Sequence, residues 1–154
     1  MITVPCTWFV GVKKRKNYLN LNTYRNAHFI ALNRSKKDYK EEIKEELRKL
    51  GVFKKVKPVY KYYLPRKCDI GNVHSILEKY FLDAFVELGH IQDDDCTQVI
   101  GADYEFVEYD KKNPRCEIFI EDLIWQRVKA HYNKQKQNNK LAMIIIVLMI
   151  ISNL

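Results

Sequence analysis

Residues 68–95 read CDIGNVHSILEKYFLDAFVELGHIQDDD. Apolar residues stand at Val73, Ile76, Leu77, Tyr80, Phe81, Ala84, Phe85 and Leu88, the three-and-four spacing that lines one face of an α-helix. Asp69 opens this pattern and Gly89 stops it. At about 100° per residue, Asn72, Ser75, Lys79 and Asp83 form a second stripe away from the apolar centre, on the side where the chain enters from Asp69. Asp93, Asp94 and Asp95 close the segment.

Upstream, VKPVYKYYL over Val56–Leu64 reads as an aromatic strand, with Pro58 favouring an edge or a bulge. Pro65, Arg66 and Lys67 lead from it into Asp69. Lys36–Leu50 is a charged surface helix with Glu–Lys pairs one turn apart, ended by Gly51. Thr3–Val12 reads as a first strand. The stretch KKRKNYLNLNTYRNAH that follows is a basic loop, either a solvated connection or an arm that contacts phosphates.

Downstream, Gln98–Tyr109 alternates like a strand, KKNPR makes a turn, and CEIFIED is a second strand, so the pair is expected to form a hairpin. Asp122–Asn138 carries Leu123, Ile124, Val128 and Tyr132 at helical spacing. This order predicts an α/β (α+β) fold, one mixed-sheet domain with packed helices. The domain is expected to cover residues 1–125, with a basic, helical extension and apolar tail over 126–154.

The composition fits that domain. The 154 residues are 47% hydrophobic and 30% charged, with 27 Lys and Arg against 19 Asp and Glu. The net charge of +8 suits a nucleic acid or an anionic membrane as partner. Cys6, Cys68, Cys96 and Cys116 are widely separated, and charges follow rather than precede the first apolar stretch. Reduced thiols and a cytoplasmic location are therefore expected. Cys68 and Cys96 each flank an acid, which leaves a thiolate site open beside the plainer reading of small packed residues. The run LAMIIIVLMI near the end is shorter than the roughly 18–20 residues that span a bilayer. A membrane-surface anchor, a buried strand or a dimer contact are its alternatives, and a non-membrane role is favoured.

Carboxylates concentrated on a basic chain invite a metal. One or two of Asp93, Asp94 and Asp95 meeting Asp69 would make a hard oxygen site for Mg²⁺. Such an ion polarises a phosphodiester and neutralises developing charge, with Lys79 adding fixed positive charge. The carboxylates would raise one another's pKa until the metal or Lys79 relieved them. The other reading is a polar Asp turn. His28, His74, His90 and His131 form no H-E-x-x-H pair, and neither G-x-S-x-G nor a Gly-rich phosphate loop is present.

Taken in order, Asp69, Asn72, Lys79, Asp83-Ala84-Phe85, Gly89-His90-Ile91-Gln92-Asp93-Asp94 and Gln98-Val99 resemble the RusA-type Holliday junction resolvases, especially phage-encoded members. The likeness covers residues 66 to about 121 and, loosely, the N-terminal strand and loop. It implies a RusA-like fold and a homodimeric, Mg²⁺-dependent endonuclease that resolves four-way DNA junctions by paired symmetric nicks. It implies that Asp69, Lys79 and Asp94 are catalytic and that Asp69, Asn72, Asp93 and Asp94 hold the metal. Lys13, Lys14, Arg15, Lys16, Arg25, Arg66 and Lys67 would grip DNA. The family's D-x-D-N motif reads Asp69-Ile70-Gly71-Asn72 here, so its second carboxylate is missing. A weakened or inactive DNA-binding relative is the alternative this implies, and a membrane-associated accessory protein using the tail is another.

Overall fold

The computed structural model describes residues 1–10, 15–18 and 20–122, and of residues 8–10, 15–18 and 121–122 the backbone alone. Backbone contacts divide the chain into two units, Met1–Ile120 and Glu121–Leu154. The helix expected over 122–138 and the apolar tail lie outside the described residues. The described elements are, in chain order, β1 (Ile2–Pro5), β2 (Thr7–Val10), β3 (Arg15–Tyr18), α1 (Leu21–Asn26), α2 (Phe29–Leu47), β4 (Val56–Leu64), α3 (Ile70–Glu87), β5 (Asp103–Tyr109) and β6 (Arg115–Asp122).

Strands β1, β6, β4 and β5, in that spatial order, make one mixed sheet, while β2 and β3 pair separately. β4 and β5 are parallel, so α3 is the crossover between them; β1 runs antiparallel to β6. The chain is thus a mixed-sheet α+β fold, as its pattern predicts.

Helix α3 forms where the sequence places it. Val73, Ile76, Leu77, Tyr80, Phe81, Ala84 and Phe85 are all buried. At its end the Gly89 N–H reaches the Val86 carbonyl at 2.9 Å and the His90 N–H reaches the Phe85 carbonyl at 3.0 Å. These paired bonds turn the chain at Gly89, whose φ of 79° suits a residue without Cβ. The apolar face lies on the alternate side chains of β4. Tyr60 meets the rings of His74 and Phe81 edge-on, and Val56, Tyr60, Tyr62 and Leu64 are buried. β1 and β6 extend this layer through Ile2 opposite Ile118 and Val4 opposite Cys116. Helix α2 covers it from the side, where the Tyr39 hydroxyl donates to the Pro5 carbonyl at 3.2 Å.

Local chemistry moves several elements from their expected places. The first strand breaks at Cys6 into β1 and β2, which join different sheets. The basic loop contains β3 and α1, the latter capped by the Asn20 side chain, which accepts from the Asn22 N–H at 2.8 Å. α2 begins seven residues before Lys36 because His28 caps it, Nδ1 accepting from the Ile30 N–H at 3.3 Å. It stops at Leu47, short of Gly51. β5 and β6 are not a hairpin, since β4 lies between them. Pro58 sits in a central strand rather than an edge. Its missing N–H falls between the Val56–Val99 bridge and the β5 ladder, which begins at Val59.

The sequence gives no sign of buried His74. Its Nδ1 shares a 2.9 Å hydrogen bond with the Tyr62 hydroxyl, and its ring stacks on Tyr104 at 4.1 Å between centroids. Burial lowers its pKa from 6.5 to about 4, outweighing the Glu78 carboxylate 3.5 Å from Nε2. Between those two pH values the unfolded chain takes up a proton on His74 that the folded chain refuses, so this stability is lost as pH falls. Glu78, raised by its own burial, acts in the opposite sense. Urea titrations should therefore show wild-type stability falling more steeply than that of His74→Gln between about pH 6.5 and pH 4. Parallel curves would refute a neutral, buried His74.

Candidate functional site

The short connection Pro65–Asp69 delivers the chain from the end of β4 to the head of α3. Arg66 and Lys67 are exposed there, as is Asp69. Asp69 is the N-cap of α3: Oδ1 accepts from the Gly71 N–H at 3.0 Å and the Asn72 N–H at 3.4 Å. Asn72 Nδ2 donates to Oδ2 at 2.9 Å. The carboxylate therefore answers the unpaired amides and partial positive charge of a helix start. A turn later the Ser75 hydroxyl donates to the Gly71 carbonyl at 2.7 Å. A Cβ on Gly71 would stand 3.4 Å from Asp69 Oδ1 and 3.9 Å from the Tyr104 hydroxyl, both ordinary contacts.

Asp93, Asp94 and Asp95 form an exposed turn at the other end of α3. Asp93 Oδ1 accepts from the Asp94 N–H at 2.8 Å. Asp95 Oδ1 accepts from the Thr97 N–H and hydroxyl, at 2.8 and 2.6 Å. Those bonds hold the Asp95 carboxyl below its ordinary range, against a smaller opposing effect of desolvation. The turn is tied to the start of β4, where the Val56 N–H reaches the Gln98 carbonyl at 2.8 Å. Asp69 lies beyond its far end. The nine residues of β4, eight steps of about 3.3 Å, separate the two, a span of roughly 26 Å. One chain therefore brings Asn72 to Asp69, and leaves Asp93 and Asp94 at the opposite end of the sheet. Lys79 is exposed and lies ten residues along α3 from Asp69, about 15 Å at 1.5 Å per residue. Asp83, on the same stripe, is held by Lys36 of α2.

Among the described residues no three His, Cys, Asp or Glu side chains are grouped so as to hold a metal. The set Asp69, Asn72, Asp93 and Asp94 does not fit one Mg²⁺ within a single chain. Cys68 and Cys96, both exposed, lie at these same two ends and share no site. Of the DNA-contact residues, Arg66 and Lys67 flank the Asp69 cap, and Arg25 is exposed in the last turn of α1. Arg15 and Lys16 lie in β3, and Lys13 and Lys14 fall outside the described residues. No helix among the described residues is long and apolar enough to cross a membrane.

Comparison with models of known families and with curated proteins finds no match. The cap has a structural role that any functional test must separate from chemistry. Asp69→Ala should lower stability by about 0.5–2 kcal/mol in urea unfolding. Asp69→Asn, which keeps an accepting oxygen, should lose only a few tenths of that range's upper value. Equal losses in the two variants would show that charge rather than capping matters.

Proposed function

We propose that this chain binds four-way DNA junctions and nicks them with Mg²⁺, working in the cytoplasm as a homodimer of the RusA kind. The head of α3 carries the reading. There two exposed cations, Arg66 and Lys67, stand directly before the Asp69 cap, side chains suited to contacting a phosphodiester. Asp69 and Asn72, the first residues of the resemblance, share that spot.

The separation of Asp69 from the Asp93–Asp95 turn gives the dimer a specific job. A metal site using Asp69 with Asp94 needs Asp94 from a second copy. The reading therefore predicts that Asp69→Asn and Asp94→Asn each abolish nicking of a synthetic junction, and that mixing and re-annealing the two variants restores single nicks. One site of each mixed dimer then keeps both wild-type carboxylates. Equal cleavage by Asp94→Asn and wild type would remove that residue from the chemistry.

The second reading, junction binding without cleavage, is favoured by the same separation and by Gly71. It expects a gel shift of the junction in EDTA and no nicks on adding Mg²⁺. Gly71→Asp restores the carboxylate missing from the motif at a position where a Cβ meets only ordinary contacts. Under the nuclease reading it should raise nicking at limiting Mg²⁺, because an added anionic ligand strengthens the site. No gain, at undiminished junction binding, would support the binding-only reading.

A further inference from the structure

The charge of this chain is distributed unevenly. Its first acid is Asp38, and eight of its 27 Lys and Arg come before it, leaving 19 to balance the 19 acids that follow. The whole net charge of +8 therefore belongs to the first 37 residues. Helix α2 straddles the boundary. Its first half carries Arg34, Lys36 and Lys37, and its second half Asp38, Glu41, Glu42, Glu45 and Glu46 among its lysines.

At the tip of the basic half, Phe29 is 65% exposed and Ile30 62%. They are the first two residues of α2. The helix start is capped there: the His28 ring lies against Phe29 at 4.6 Å between centroids, and its Nδ1 accepts from the Ile30 N–H. One and two turns on, Arg34 and Lys37 are exposed on the same face as Ile30. Arg25, Asn22 and Asn26 of the neighbouring α1 are exposed as well. An aromatic and an aliphatic side chain thus stand in water, in a stretch of chain that carries exposed cations and side-chain amides and no acid before Asp38.

We propose that Phe29 and Ile30 are an apolar tip that stacks on unpaired bases where a DNA duplex is interrupted. The inference rests on the branched-DNA reading above and extends it to how the branch is recognised. Cations beside the tip neutralise phosphates, and an exposed aromatic ring offers a face to a base. In a continuous duplex such insertion requires unstacking a base step, whereas a junction or single strand already presents open faces. The tip therefore adds affinity for branched over continuous DNA, and the cations add affinity for both. An anionic membrane is the other surface that basic and apolar groups suit. Laying α2 flat on one would bring Glu41 and Glu45, exposed on the Ile30–Lys37 face, against its phosphates.

The test measures anisotropy titrations of the full chain with a four-way junction, a duplex of equal length and a single strand, in EDTA at several salt concentrations. Phe29→Ser/Ile30→Ser, two exposed positions, should weaken junction and single-strand binding about tenfold, the size of one stacking contact, and leave duplex affinity and salt slope unchanged. Arg34→Gln/Lys37→Gln should weaken binding to all three and reduce the salt slope by about two. Wild-type preference for the junction that persists in Phe29→Ser/Ile30→Ser overturns the tip and leaves the branched-DNA reading standing. A wild type that binds junction and duplex equally overturns both. Loss of phosphatidylserine-vesicle binding in that variant, with DNA binding unaltered, assigns the tip to a membrane instead.

Discussion

A parallel pair of strands joined through a helix sets the terms for the rest of this molecule. β4 and β5 run the same way, so α3 must carry the chain back along the full length of β4 before β5 begins. The packing of Phe81 and Phe85 against this sheet, both fully buried, fixes α3 at that length and in that direction. Burial of each such ring stabilises by about 1.5–3 kcal/mol. The helix head and tail are in consequence at opposite ends of the sheet. Groups close in sequence to either end of α3 are distant in space, whatever chemistry their types suggest.

That constraint explains which parts of the sequence could be read. β4 and α3 were legible because their signals are local and their packing agrees with them: period two over Val56–Leu64, period 3.6 from Val73 to Phe85, and Gly89 as the stop. Strand partners were not legible, because pairing is decided by the sheet as a whole. Tyr109 and Arg115 are near neighbours along the chain, yet β4 takes the place between their strands. α2 hid its first two turns because a His cap is not among the usual signals. Of the site, the type and order of residues could be read, and Asp69 with Asn72 do meet. The distance from Asp69 to Asp94 could not, since it depends on the direction of β5.

Electrostatics follows the same geography. Around β4 and β5, charge is locally paired: Lys57 with Asp103 at 2.6 Å, Lys61 with Glu105 at 2.8 Å, and Arg115 with Asp110 and Glu117. Arg115 also lies 3.6 Å over the Tyr63 ring. The second half of α2 is paired internally and to α3 through Lys40 and Glu87. Unbalanced charge remains in the acid-free beginning of the chain. The field that a polyanion would meet is strongest in sign at that part of the chain.

The cap at Asp69 has a consequence for how such a chain would age. A carboxylate that closes the first turn of the central helix is retained by the demands of folding, whatever else it does. Asp94 supports no backbone beyond its own turn, and its side chain accepts no hydrogen bond among the described residues. Folding alone would therefore let Asp94 drift while keeping Asp69. Of the two acids, Asp94 is the one whose persistence would record selection for something other than folding.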